Sequence, residues 1–328
     1  MPSARQLALG LAGALLAGCS TWGGRPAESG SQTVETVCEL TREPRPEGLS
    51  GISRISGDRY FSVDDRGGML YELEIPISGD GEADRCRVVR SVRLDGRCDL
   101  EGCAADPLDG RVWVSDEHDH SIRQFDPATG RETDRVDVPG VFRENVRYNL
   151  SIEALTISPD GLRMYAANED TMVCDGPVAD RSHGGTVRIQ EFVRTGRGCP
   201  WKASRQGLYR TEKVEGEPYA GIAISGVASM CALDDGTLLV LEREMSQKNP
   251  LFPTFLGRIF SVASPAADGA PVAKCLLWEE NTMFANYEGM SRGPVLADGA
   301  QSLVLVSDGG GKAEEKVEIL AVRRKVRK

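Results

Sequence analysis

The chain has 328 residues, 49 acidic against 39 basic, for a formal charge of −10. That balance sets it against nucleic acid and anionic surfaces as partners and favours cations. Beyond the first twenty residues no stretch has the length and apolarity of a membrane span, which argues against an integral helical membrane protein.

In chain order, Arg5 followed by a short run of apolar and small residues reads as an export signal over residues 1–18. Leu16-Ala17-Gly18-Cys19 has the form of a lipobox, so the Cys19 thiol is the expected point of lipid attachment and the bilayer an expected partner. Ser20, where an aspartate would favour inner-membrane retention, points to the outer membrane of the cell envelope. Residues 19–32 form a Gly/Ser-rich tether. Residues 33–323 are left for one domain, expected to be monomeric, and 324–328 are a basic, solvated tail. Eight cysteines follow Cys19 without a CxxC pair. In an exported chain their even number favours disulfides over zinc. Cys86–Cys98 and Cys174–Cys199, close in sequence around expected hairpins, are the candidate pairs, and the full connectivity stays open.

Helical periodicity is almost absent. Short β-rich runs alternate with Gly, Asp, Pro and Asn, the pattern of an antiparallel all-β fold. Five blocks share one grammar: a small-residue segment, an apolar strand, a turn, a second apolar strand, a carboxylate, and a return strand. They begin near 47, 101, 153, 228 and 288, and the gap before 228 leaves room for a degenerate sixth. One such unit cannot bury both faces of its sheet, whereas several arranged around an axis can, which predicts a β-propeller of five recognisable blades and room for six. The strand-like segments at Thr33 and Lys316 are expected to share one blade and leave no open edge. A β-sandwich explains the alternation but not the repeated carboxylates.

Equivalent positions of successive blades surround the axis, so Glu47, Glu101, Glu153 and Glu288 are expected to converge. Crowded like charges raise one another's pKa values or recruit a cation, and Ca2+ suits oxygen ligands outside the cytoplasm. Acidic turn residues also cap backbone N–H groups, and that reading stays open. A second group follows the inner strands: Asp64-Asp65-Arg66, Asp116-Glu117-His118, Glu169-Asp170, Glu242-Arg243-Glu244 and Asp308. Arg66 and Arg243 offer planar forks for phosphate or carboxylate, or salt bridges between blades. His118 and His120, two apart, permit ligation or acid–base work, or stand as solvated loop residues. Arg143, Asn145, Arg147 and Asn149 alternate and, if extended, share a face toward Glu153. There is no nucleophile elbow, phosphate loop or HExxH motif, so any hydrolysis is expected to use water activated by carboxylate and metal.

The stretches GLSGISRISGDRYFSVDDRG, LEGCAADPLDGRVWVSDE, SIEALTISPDGLRMYAANE, GVASMCALDDGTLLVLERE and NYEGMSRGPVLADGAQSLVLVSD resemble, in this order, the phytase-like (esterase-like activity of phytase) family of exported propellers. The resemblance implies hydrolysis of a phosphate ester or other ester and a calcium requirement. It makes Asp65-Arg66, Glu101, Glu117, Glu153, Glu242-Arg243, Glu288 and Asp308 the family's recurring polar positions. The working assignment is therefore Glu117, Glu153 and Glu242 for catalysis. Arg66, Arg147, Arg243 and His118 are expected to bind a small anionic or ester ligand. Glu47, Asp65, Glu101, Glu169, Glu288 and Asp308 are assigned to metal. Ala228 breaks the acid series in the fourth block. A non-catalytic propeller binding a ligand or protein, and a calcium-dependent lactonase-like enzyme, are the alternatives.

Overall fold

The computed structural model describes residues 36–41, 46, 48–83, 85–96, 99–218, 223–249, 252–281, 285–308 and 316–322. The signal segment, Cys19, the tether, Glu47, Cys98 and the basic tail lie outside them. Among the described residues no helix is long and apolar enough to cross a membrane.

The chain folds into five antiparallel blades. After β1 (Thr36–Thr41), the first blade runs β2 (Leu49–Ser56), β3 (Arg59–Asp64), β4 (Met69–Glu74) and β5 (Cys86–Arg93). The second has β6 (Leu100–Ala105), β7 (Val112–Asp116), β8 (Ser121–Phe125) and β9 (Glu132–Arg135), followed by a one-turn helix α1 (Val141–Glu144). The third is β10 (Ile152–Ile157), β11 (Arg163–Asn168), β12 (Thr186–Val193) and β13 (Lys202–Arg210). In the fourth, β14 (Ile224–Ala232), β15 (Leu238–Asn249) and β16 (Phe252–Val262) are joined by β18 (Lys274–Asn281). The intervening β17 (Ala270–Pro271) instead adds two residues in parallel to β13. The fifth blade holds β19 (Asn286–Val295), β20 (Gln301–Asp308) and β21 (Lys316–Val322). β1 lies outermost on it, antiparallel to β21 from Thr36↔Ile319 to Glu39↔Lys316, and touches β5 in parallel at Leu40↔Cys86.

No sixth blade stands among the described residues. The chain before 228 is occupied by the outer strands of the third blade, β12 and β13, which a long β11–β12 loop delays. The row from Arg143 to Asn149 is not extended either: Arg143 belongs to α1, and Asn149 takes a left-handed φ of 56°. The expected Cys174–Cys199 bond is not formed, and both thiols are free.

The turn between first and second strands explains the regular spacing. Gly110, Gly161, Gly236 and Gly299 have φ between 71° and 82°, a region open to glycine without steric cost. The Asp before each accepts a hydrogen bond from the N–H two residues on, at 2.9–3.0 Å in all four (Asp109, Asp160, Asp235, Asp298). The inner strands β2, β6, β10, β14 and β19 touch in cyclic order, β19 returning to β2. Five apolar clusters fill the five gaps between neighbouring blades, from Leu49, Ile52 and Val304 between the fifth and first to Ala228, Met290 and Leu303 between the fourth and fifth. A blade is thus buried on both faces, which is why inner strands such as β6 and β7 show no polar alternation.

Candidate functional site at one end of the axis

Every inner strand carries a register shift, at or near its start in four blades and three residues in along β14: between Leu49 and Ile52, Leu100 and Cys103, Ile152 and Ala154, Val227 and Ser229, and Tyr287 and Gly289. A bulge adds a residue on one strand and re-aims its side chain. The residues so placed are Ser50, Glu101, Glu153, Ala228 and Glu288, one per blade. Each is followed by a small residue, because the next inner strand passes very close. A Cβ on Gly289 would stand 2.2 Å from the Ser50 carbonyl oxygen, and one on Gly51 2.4 Å from that of Glu101.

The second strands reach the same height, where four of them end or nearly end while β15 runs on to Asn249. Leu49 faces Asp64, Leu100 Asp116, Ile152 Asn168, Val227 Glu242 and Tyr287 Ser307. The residues one step further are Asp65, Glu117, Glu169, Arg243 and Asp308, again one per blade. The bulges contribute three carboxylates and the strand ends four, seven in all. Arg243 stands in the fourth blade, where the inner strand has Ala228 instead of an acid.

The group is tightly enclosed. Glu101, Glu117, Glu153 and Glu169 are each no more than 8 % exposed. Arg243 donates to Glu169 Oε1 at 2.6 Å, to Glu288, and to Asn286 Oδ1 at 3.2 Å. Asn286 also donates to Glu288 Oε1 at 2.6 Å. Ser50 Oγ donates to Glu101 Oε2 at 2.6 Å, and the Ser151 N–H to Glu117 Oε1 at 2.7 Å. Arg66, half-exposed at the rim, reaches Asp308 Oδ2 at 3.3 Å. Asp65 Oδ1 is buried and accepts no hydrogen bond, though Arg66 Nε stands 3.5 Å from it as an ion-pair partner. The Glu153 carboxylate, 6 % exposed, has no hydrogen-bond or ion-pair partner among the described residues.

Burial dominates the electrostatics. It holds Glu153 well above the usual carboxylate range, with the charges of Glu101 and Glu169 adding to the effect and Arg243 opposing it. Glu101 is likewise raised by burial and then by Glu288. Burial lifts Glu288 to about 7 against the pull of Arg243, and Glu117 to about 7 against the Ser151 hydrogen bond. Asp65 is pushed up to about 6, by burial more than Arg66 lowers it. Two guanidinium groups, Arg243 within and Arg66 at the rim, cannot balance seven carboxylates, so the site stores protons or calls for a cation.

Among the sequence-derived candidates, Asp65, Glu101, Glu117, Glu153, Glu169, Glu288, Asp308 and Arg243 are brought together, with Arg66 at the rim. Glu242 is not among them. Its fully buried carboxylate accepts from Tyr209 Oη at 2.6 Å, the Glu212 N–H at 2.8 Å and Lys274 Nζ at 2.8 Å. Arg147 clamps a loop by donating to the Thr171 and Gly176 carbonyls at 2.8 Å. His118 is exposed on the β7–β8 turn, and His120 Nδ1 meets Ser151 Oγ at 2.8 Å. Sequence reading missed Ser50, which occupies the first-blade place given to Glu47. Aligning Gly51 with Gly102 and Gly289 would have found it. Among the described residues no set of three or more Asp, Glu, His or Cys side chains is already gathered around one ion position.

The fold defines a five-bladed propeller with an acidic candidate site at one end of its axis. The family described as "Phytase-like: Esterase-like activity of phytase" matches residues 44–309. The chain belongs to the phytase-like family. No curated protein matches it. Solved structures with a similar course include the glutaminyl cyclase of Myxococcus xanthus, 12 % identical over 88 % of this chain and 98 % of that one with a TM-score of 0.44. A member of the duf4221 family from Bacteroides vulgatus is 8 % identical over 90 % and 98 % of the two chains, TM-score 0.41. The gluconolactonase XC5397 of Xanthomonas campestris is 11 % identical over 85 % and 87 %, TM-score 0.39.

Proposed function

We propose that the chain is a hydrolase of phosphate or carboxylic esters that acts at the acidic axial end through water activated by its carboxylates. The observation that carries this reading is Glu153: nearly buried, unpartnered among the described residues, and held well above the usual carboxylate range first by burial and then by the charges of Glu101 and Glu169. A carboxyl group raised in this way is suited to give a proton to a leaving oxygen, and Glu117, pushed up to about 7, is suited to take one from water.

Seven carboxylates repel an anionic ester, so positive charge has to accompany the substrate. The donor set is all hard oxygen, and Asp65 offers an oxygen without a hydrogen bond, which fits Ca2+. Asp65, Glu101, Glu288 and Asp308 are the residues that would hold it. Bound there, the ion would offset the repulsion and polarise the ester. Export, lipidation at Cys19, outer-membrane placement and a monomeric state complete the proposal and rest on the sequence.

The test is turnover of p-nitrophenyl phosphate and p-nitrophenyl acetate by the purified protein with and without calcium. We expect turnover that needs the ion and drops about a hundredfold in Glu153→Gln with the fold intact. A protein that binds no divalent ion and hydrolyses neither ester would remove this reading.

A further inference from the structure

At the opposite end of the propeller, a cavity of about 410 Å3 opens between the third and fourth blades. That is within the size range of small-molecule sites. Its floor is built around Tyr165 on β11 and Glu191 on β12, cross-strand partners whose side chains share one face. Both are more than nine-tenths buried. A bulge in β13 sets Ser204 and Arg205 opposite the single residue Glu191. The same device that aims the acids at the axial site thus recurs at this cavity.

The partners of Glu191 are weakly placed. Tyr165 Oη lies 3.4 Å from Glu191 Oε1, and Arg163 Nε also lies 3.4 Å away on a side chain that is half in solvent. Tyr165 Oη and Ser264 Oγ are 3.1 Å apart, a pair that can pass a donor to a guest. A buried carboxylate with only long contacts, facing a cavity, has acceptor capacity for a ligand. The rim carries Asp160 and Asp234 against Arg163 and Arg205, so neither sign prevails. Pro159, Leu233 and Pro265 add apolar surface.

We propose that this cavity binds a neutral polyol ring of the sugar class. Neighbouring hydroxyls of such a ring donate to both oxygens of Glu191, Tyr165 and Ser264 engage a third, and the C–H face rests on the prolines and Leu233. The proposal does not depend on the hydrolase reading, because the two sites lie at opposite ends of the blades.

Ligand-observed saturation-transfer NMR on the purified protein with D-glucose, D-mannose and D-galactose tests it, with ethylamine and acetate as charged probes. We expect at least one sugar to bind and both charged probes to bind more weakly. Glu191→Gln should weaken sugar binding about tenfold, as the loss of a hydrogen bond to a charged group does. Ser264→Trp, which fills the cavity from a partly exposed position, should abolish it, and Glu153→Gln should leave it unchanged. Failure of all three sugars to bind, preference for amine or acetate, or loss in Glu153→Gln with retention in Glu191→Gln would each overturn the proposal. If Glu191→Gln fails to fold, Tyr165→Phe, which keeps the ring and removes the hydroxyl, decides in the same way.

Discussion

Glu288 and Glu117 take up protons near 7 and Asp65 near 6, against ordinary values of 4.5, 4.5 and 3.8. These are raised carboxylates, so between about 4.5 and 7 the folded chain holds protons that the unfolded chain has released. Folding is therefore favoured at the acid side of that window and loses stability as pH rises through it. We expect the melting temperature to be higher at pH 5.5 than at pH 8, measured by calorimetry without divalent ions. Glu117→Gln keeps an acceptor for the Ser151 N–H and should reduce the difference in unfolding free energy between the two pH values by about 1–2 kcal/mol. A melting temperature that falls steadily from pH 8 to 5.5, with the variant no different, would mean these groups are ionised in the fold. At this scale much of the site was legible. Glu101, Glu153 and Glu288 announce themselves as repeated acids, whereas Glu242 and Arg243 cannot be told apart until register decides which faces the axis. In the fold Glu242 ties Tyr209 and Lys274, while Arg243 pairs with Glu169 and Glu288.

The element that builds the site is the bulged inner strand of each blade. Counting residues from one acid to the next placed Glu47 in the first blade, yet the ladder puts Ser50 there, since Leu49 faces Asp64 as Leu100 faces Asp116. Spacing along a chain does not show an extra residue in a ladder, so the site's composition was readable only to within a few positions. Close strand approach gives a sharper signal, the small residue after the bulge. We expect Gly289→Ala to destabilise the protein by about 1–3 kcal/mol, because its Cβ meets the Ser50 backbone, which cannot swing aside as a side chain can. Ala154 holds the same place in the third blade, and Ala154→Gly should cost only about 0.5–1 kcal/mol. Urea midpoints of the two variants check the contrast, and equal losses would show that approach distance does not govern this position.

For the whole molecule, the Asp-Gly turns of four blades and the Gly57-Asp58 turn of the first made five blades readable, because each marks where a first strand gives way to a second. The sequence leaves room for a sixth because the third blade's return strand is postponed by the chain between β11 and β12, a delay that reads in sequence as space for another unit. The fifth blade raises a different question, since its outermost strand comes from the other end of the chain. β1 covers the edge of β21 over Thr36–Glu39 and also touches β5, so it spans the boundary between the fifth and first blades. If this pairing holds the ring together, removing it leaves β21 with unpaired N–H and C=O groups, a template for another chain. Two soluble forms separate the contribution of the strand from that of the preceding tether, one lacking residues 1–32 and one lacking residues 1–41. The shorter protein should melt about 5 °C or more below the longer and associate at raised concentration. Equal melting temperatures and a monomer in both, by calorimetry and sedimentation, would show that the contacts between blades close the ring without β1.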